Sequence, residues 1–329
     1  MTGWASHPKL LYHDDVHAGT PGRAWQREVW MPDKFVVGTV SRTFFTMPVW
    51  IAIENGFFAA EDLEVTTTIF GNASQVEPLL DGTFQVVIGS PELAMQNAAA
   101  GGPLRLIAGN AGKLVHSLIA RTPFAKIDDL RGGTIGILNM KEGTFFAIRT
   151  MLAAHGLQFS ADYMVKETGG VPPRHKALLE GSIDAGLQSV PWNYVAEDAG
   201  LRNLGDVIDY VPEWQFVSIN VNGTWAAANP NMVVRFLRAV LRGTEWLYAN
   251  RAASARIAAR ELPAPLHHAE RAWGYFTGTN ALTRDLSVNE AGLARVIAVL
   301  LEAGLLPPDA PAAPAVYIND RYLREARDR

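Results

Sequence analysis

Leu79-Leu80-Asp81-Gly82-Thr83-Phe84-Gln85 returns later in the chain as Leu178-Leu179-Glu180-Gly181-Ser182-Ile183-Asp184, with Gly82 and Gly181 99 residues apart. Each copy reads as a helix end, a glycine stop and the start of a short apolar strand. The first strand runs on to Gly89-Ser90-Pro91 and the second to Gln188-Ser189-Val190-Pro191. Upstream of each copy lies an apolar run containing a glycine, Gly38 in one and Gly136 in the other, 98 residues apart. Two matches in nearly the same register predict two lobes of like topology, each a βαβαβ unit. The competing reading is one continuous doubly wound sheet whose turns coincide.

Working outward, Phe35–Val40, Leu63–Phe70, Phe84–Ile88, Leu104–Ala108 and Ser117–Ala120 read as strands. Helices are expected over Pro48–Asn55, Gln75–Leu80 and Pro91–Ala100. The cycle restarts with strands at Thr134–Leu138, Tyr163–Glu167 and Ile183–Leu187, and helices at Thr144–His155 and Arg174–Leu179. Such alternation predicts an α/β fold, with mostly parallel sheets covered on both faces. The last third reads as mainly helical. Asn229-Pro230 starts one helix, with Val233, Phe236, Leu237, Val240 and Leu241 on one face and Arg235, Arg238 and Arg242 on the other. Ser287 and Glu290 read as the capping box of another helix ending at Glu302.

At 329 residues, the length fits about two domains. With 48% hydrophobic and 19% charged residues, the chain can bury real cores and is not of the disordered class. A net charge of −4, with no basic cluster, speaks against nucleic acid as a partner. There is no cysteine, which removes disulfides, cysteine-ligated metals and a cysteine nucleophile. No apolar run is long enough for membrane insertion. Residues 1–33 read as an irregular arm. Its Asp14, Asp15 and Glu28 interrupt any apolar stretch, so no signal peptide is visible. The expectation is a cytoplasmic protein as written, or a periplasmic or cell-surface one if a leader has been removed.

Ligands of open α/β sheets bind beyond the carboxyl ends of the strands, so the turns after strands are the binding candidates. They bring Ser41, Arg42, Thr43 and Phe44 from the first turn, then Asn72, Ser74 and Ser90. From the second lobe they bring Asn139, Lys141, Thr144, Gly170, Ser189 and Trp192. Helix N-termini behind these turns suit an anionic group. Arg42 and Lys141 offer charge, and the aromatic rings offer apolar walls. The set predicts a small organic anion as ligand. Bland readings stand beside it. Ser74 and Thr144 are good helix caps, Phe44 is good core material, and Lys141-Glu142 reads as a solvated pair unless the lobes close on it. His116 and His175 are the candidates for acid–base chemistry. His267-His268 reads as a surface pair. His7, His13 and His17 match no standard metal site, and neither metal nor cofactor is expected. Standard hydrolase, metalloprotease and dinucleotide motifs are absent.

Thr46-Met47-Pro48-Val49-Trp50-Ile51-Ala52-Ile53-Glu54-Asn55-Gly56-Phe57-Phe58 resembles the P-hydrophobic-A-x-x-x-G-F-F opening of the SsuA/THI5-like (NMT1-type) solute-binding proteins. Glu61-Asp62-Leu63-Glu64-Val65 resembles the strand that follows in that family, with Asp62 where glycine is usual. Leu80-Asp81-Gly82 with Val86–Gly89 resembles a further signature, with Gln85 in place of aspartate. Asp129-Leu130-Arg131-Gly132-Gly133-Thr134-Ile135-Gly136 resembles the start of its second lobe, and Tyr317-Ile318-Asn319-Asp320-Arg321-Tyr322-Leu323 its terminal segment. The resemblance implies a two-lobed, periplasmic-binding-protein-like (type 2) fold with a ligand cleft between lobes. It implies lobe one from residues 34–113 and 210–329, and lobe two from 114–209. It further implies capture of a sulfonate, carboxylate or aromatic acid and delivery to an ABC permease. The same scaffold also carries cytosolic enzymes, so a decarboxylase- or lyase-like activity on an aromatic acid is the alternative, and a ligand sensor a third.

Overall fold

Two five-stranded sheets of the same strand order carry the chain. The computed structural model describes residues 31–71 and 73–328; most of the amino-terminal arm, with His7, His13 and His17, and the candidate Asn72 lie outside them. The first lobe opens with β1 (Asp33–Thr39), α1 (Met47–Glu54), β2 (Leu63–Ile69), α2 (Val76–Leu80), β3 (Val86–Gly89), α3 (Glu92–Ala99) and β4 (Leu104–Ala111). The chain then crosses to β5 (His116–Ala120), β6 (Thr134–Ile137), α4 (Gly143–Ala153), β7 (Met164–Glu167), α5 (Val171–Leu179), β8 (Ala185–Ser189), α6 (Trp192–Asp198) and β9 (Arg202–Asp206). It crosses back into β10 (Val217–Asn222), followed by α7 (Gly223–Ala228), α8 (Pro230–Ala249), α9 (Arg251–Glu261), α10 (Leu266–Gly278), α11 (Glu290–Glu302) and α12 (Arg321–Arg327).

Sheet order is β2-β1-β3-β10-β4 in lobe one and β7-β6-β8-β5-β9 in lobe two. In each, three parallel strands meet a fourth that runs antiparallel, β10 against β3 and β5 against β8. The sheets are therefore mixed. The reason is the double crossing: each antiparallel strand is the one that enters a lobe from the other. The expectation of mostly parallel sheets missed these two strands.

The internal repeat is visible at the level of single bonds. Gln85 Oε1 accepts from the Val36 amide at 2.6 Å, while Asp184 Oδ2 accepts from the Thr134 amide at 2.8 Å. Both side chains tie the strand after the repeat's glycine to the equivalent neighbouring strand of their sheet, β1 in lobe one and β6 in lobe two. The offset therefore reflects two copies of one plan, and the single-sheet alternative fails.

The carboxyl-terminal helices thicken lobe one. The apolar face of α8 buries Val233, Phe236, Leu237 and Val240, with Phe236 stacked on Phe35 at 4.5 Å. Its polar face is anchored too: Arg238 pairs with Glu61 at 2.6 Å, Arg235 pairs with Asp33, and Arg242 lies over the Phe57 ring at 4.5 Å. Helix α11 is capped by Asn289, whose side chain accepts from the Gly292 amide at 3.0 Å. Ser287 instead donates to Asp285 at 2.6 Å, because it sits before the turn rather than at its edge. Gln215, fully buried, donates to the carbonyls of Ala111 and Val217 and accepts from the Asn289 amide. It links the two crossings, residues 112–115 and 207–216, to α11. No helix among the described residues is long and apolar enough to cross a membrane.

Candidate functional site

Between the two sheets lies a cavity of about 80 Å³. A water needs roughly 10–15 Å³ on this measure, so the space suits a body the size of one small ring. Lobe one lines it with hydroxyls: Thr39, Ser41, Thr43 and Thr46 around the end of β1, and Ser90 after β3. Phe45, and Phe216 from the return crossing, add apolar walls. Lobe two contributes His116, Glu142, Thr144, Gly170 and Arg174. The wall thus comes from strand ends and helix starts, where open α/β sheets bind ligands. The lobes meet closely here: a Cβ added to Gly170 would lie 3.0 Å from Ser41 Oγ.

Arg174 is the charged centre. Four residues after Gly170, it lies on the same face of α5 and is 2% exposed. Its Nε donates to the Leu187 carbonyl at 2.6 Å and its Nη1 to the Gly169 carbonyl at 3.1 Å. Burial pulls its pKa down to about 10, opposed by nearby Glu142, so it is a cation at neutral pH. Glu142 caps α4, accepting from the Thr144 amide at 3.1 Å and from the Thr144 hydroxyl. It is 3% exposed, and burial raises its pKa despite these bonds and Arg174.

Behind this wall lies a second carboxyl, Glu92, the first residue of α3. Burial, then Glu142, pushes its pKa up to about 8. Neither oxygen makes a well-formed hydrogen bond, although the Ser90 hydroxyl and Gly143 amide lie close enough to favour its ionised form slightly. A Cβ on Gly143 would come within 2.7 Å of both Glu92 Oε1 and Trp214 Nε1, so the start of α4 is packed against lobe one. Two buried carboxyls near each other resist joint ionisation. The site therefore holds one firm cation facing carboxyls biased toward the neutral form.

His116 stacks on Phe45 at 6.0 Å and meets the Phe216 ring edge-on at 5.0 Å. Burial first, and Arg174 second, bring its pKa down to about 3. It is a neutral, ring-like part of the wall. A general base works best with a pKa near the operating pH, which this imidazole lacks.

The structure gathers Ser41, Thr43, Ser90, Thr144, Gly170 and His116 around the cavity. Asn139 lines an adjoining recess of about 30 Å³ that shares Val40, Ser90, Leu138 and Glu142 with it. The other candidates are placed elsewhere. Arg42 pairs with Glu261 and donates to its carbonyl at 2.9 Å. Phe44 is core, stacked on Phe276 at 4.4 Å. Ser74 is exposed and accepts from the Val76 amide at 3.1 Å. Lys141 is exposed, whereas its neighbour Glu142 is buried, so the two are not a solvated pair. Ser189 is buried opposite His116 in the β5–β8 ladder, and its hydroxyl has no partner. Trp192 packs against His175 at 5.3 Å, and neither lines the cavity. His268 is buried against Asp198 and does not form the expected surface pair.

Sequence reasoning missed Arg174, Glu142 as a site group, Glu92 and Phe216. A usable signal existed for Arg174, since i and i+4 share a helix face and Gly170 was already a candidate.

A family model described as NMT1/THI5 like matches residues 44–254. The riboflavin-binding protein RibY of Chloroflexus aurantiacus is 28% identical over 221 residues, 62% of this chain and 59% of that protein. The chain's match thus spans well under two thirds of that relative. Among solved structures, the alkanesulfonate-binding protein SsuA of Xanthomonas axonopodis pv. citri bound to MOPS superposes with a TM-score of 0.69 at 15% identity, covering 88% of this chain and 99% of that one. The desulfurization enzyme DszB does so with a TM-score of 0.64 at 16% identity, covering 90% and 99%. A Candida albicans protein described as having the generic periplasmic-binding-protein fold superposes with a TM-score of 0.68 at 13% identity, covering 88% of this chain and 97% of that one, so this chain has that fold.

Proposed function

We propose that this chain, which belongs to the NMT1/THI5-like family, is a solute-binding protein that closes its lobes on a small aromatic or heteroaromatic acid and passes it to an ABC-type importer. The observation that carries the reading is Arg174: a buried guanidinium in the wall of an interlobe cavity. A cation held there without solvent gains most from an anionic group, which forms strong charge-assisted hydrogen bonds. Phe45, Phe216 and neutral His116 supply faces and edges for a planar body. The hydroxyls of Ser41, Thr43, Ser90 and Thr144 can accept or donate as the ligand requires. A riboflavin-binding relative and a sulfonate-binding neighbour support the binding role. The role also requires export to the membrane face where the importer collects its ligand.

An enzyme on the same scaffold is the second reading, favoured by the likeness to DszB and by His116 at the cavity. The low pKa of that histidine weighs against it. Calorimetric titration with one-ring carboxylates and sulfonates, each paired with its neutral amide or alcohol, separates these readings. The acids are expected to bind and to remain unchanged for hours. Equal binding of the neutral partners would sink the anion assignment, and accumulating product would sink the transport role.

A further inference from the structure

Away from the cleft, His267 and His268 open α10 beside lobe one, and Asp198 ends α6 in lobe two. Helix α10 belongs with lobe one through Phe276, which stacks on Phe44. Successive residues of a helix point about 100° apart, so neighbouring side chains ordinarily diverge. These two imidazoles converge, with ring centroids 4.0 Å apart. His268 is 1% exposed, with Nε2 lying 2.6 Å from Asp198 Oδ2, while its Nδ1 has no partner. One ligand atom from each of the three residues lies within 4.8 Å of the other two.

We propose that Asp198, His267 and His268 form a site for a zinc-class divalent ion that fastens the lobes together. Zinc takes imidazole nitrogen and carboxylate oxygen at about 2.0–2.2 Å, which puts tetrahedral ligands about 3.3 Å apart by that geometry. The observed spacings, 2.6 Å between His268 Nε2 and Asp198 Oδ2 and within 4.8 Å for the set, adjust to this through rotation of Asp198 and His267, both exposed. Two imidazoles and one carboxylate select zinc, copper or nickel over magnesium or calcium, and a fourth position stays open for water. The Tyr194 ring packs 5.6 Å from His268. Arg271, held over that ring at 3.6 Å, is the charged neighbour the ion would meet. The ligands come from opposite lobes, so opening pulls them apart and the ion binds the closed form. Free ion at ten times its Kd would raise the closed-to-open ratio about elevenfold, given no affinity for the open form. This control of closure is independent of which molecule occupies the cleft.

The test is calorimetric titration of ZnCl₂ into the full chain at neutral pH. A variant with His7→Ala, His13→Ala and His17→Ala serves as a second background, to remove the amino-terminal histidines. One zinc per chain is expected to persist in that background. Asp198→Ala and His267→Ala, placed in it singly, are each expected to weaken binding at least about tenfold, the low end of what losing even an outer-sphere partner costs. Both positions are exposed; Asp198→Ala also unpairs the buried His268 Nε2, so an unfolding curve for each variant confirms that it is folded. Absence of binding in that background, or binding indifferent to Asp198→Ala or to His267→Ala, would overturn the proposal, because a bridge needs both sides.

Discussion

Gln75 in lobe one and Arg174 in lobe two also stand 99 residues apart, and each runs its side chain to the central strand of its sheet or the residue just after it. Gln75 Nε2 donates to the Ser90 carbonyl at 3.0 Å; Arg174 Nε donates to the Leu187 carbonyl at 2.6 Å. Around them the scaffold is shared: equal strand order, and Gln85 and Asp184 making the same bond. What differs is charge. Lobe one lines the cavity with hydroxyls and apolar side chains, while lobe two lines it with a guanidinium and a buried carboxyl. One plan used twice thus yields unlike jaws: in the proposed role, lobe two sets which charge is accepted and lobe one completes the enclosure.

The comparison breaks most sharply at Arg174. Arg174→Gln gives lobe two the residue that lobe one carries at this place. Losing one partner of a buried charged pair costs about 2–5 kcal/mol, so affinity for an aromatic acid should fall at least about 30-fold. Affinity for its neutral amide should hardly change. Calorimetry on both ligands reads the difference; an equal loss for the two would mean that Arg174 shapes the cavity rather than reading charge.

Much of this plan was legible before any coordinates. The repeated helix-glycine-strand pattern located both lobes, because a glycine stop and an apolar run are local signals. Strand β10 was not read, for a physical reason. Val217-Ser218-Ile219-Asn220-Val221-Asn222 alternates as though one face met solvent, yet Ser218 and Asn220 are fully buried. They bond to each other at 2.8 Å, and Asn220 donates to the Ser90 carbonyl at 3.2 Å. At the site, Ser41, Thr43 and Gly170 followed from strand ends alone. Arg174, Glu142 and Glu92 did not, because charged residues are rarely buried unless paired, and Arg174 in α5 and Glu142 at the cap of α4 come near each other only in the folded chain. Arg42 misled for the converse reason: its partner, Glu261, is 219 residues away.

Buried groups around the site should also answer pH in opposite directions. In lobe one, Glu92 rises from 4.5 to about 8. Between those values the folded chain keeps a proton that the unfolded chain has released, so stability falls as pH rises, by up to about 1.4 kcal/mol per unit. Glu142 shifts the same way. At the first strand of lobe two, His116 drops from 6.5 to about 3. There the unfolded chain takes up the extra proton, so stability falls as pH drops through that window. Arg174 stays charged throughout. Denaturant unfolding from pH 3 to 9 should therefore give a dome. Glu92→Gln should flatten its alkaline limb, and His116→Phe, which keeps a ring beside Phe45 and Phe216, its acid limb. Unchanged limbs in these variants would mean that the two groups are hydrated in the folded chain.

The finest test concerns the two glycines that the repeat aligned. A Cβ on Gly38 would lie 2.6 and 2.8 Å from two atoms of the Phe84 ring, and one on Gly136 would lie 2.4 Å from Ile183 Cδ1. Phe84 and Ile183 are themselves repeat partners, so β1 and β6 each press the same position against the residue two after the glycine of the turn. Overpacking costs about 1–3 kcal/mol, and the two sites should divide that range. The Phe84 ring is rigid and is itself held by Phe70 at 5.9 Å, so Gly38→Ala should fall at the upper end. Ile183 Cδ1 is the free end of a side chain and can swing away, so Gly136→Ala should cost about 1 kcal/mol. The same methyl would approach Arg174 Cγ at 3.2 Å, however, and should weaken acid binding, whereas Gly38→Ala should leave binding nearly intact. Unfolding curves and calorimetry on the two variants read both quantities. If Gly136→Ala were the more destabilising and left binding untouched, the repeat would be a matter of packing alone, and the asymmetry assigned to Arg174 would have to arise elsewhere in the cleft.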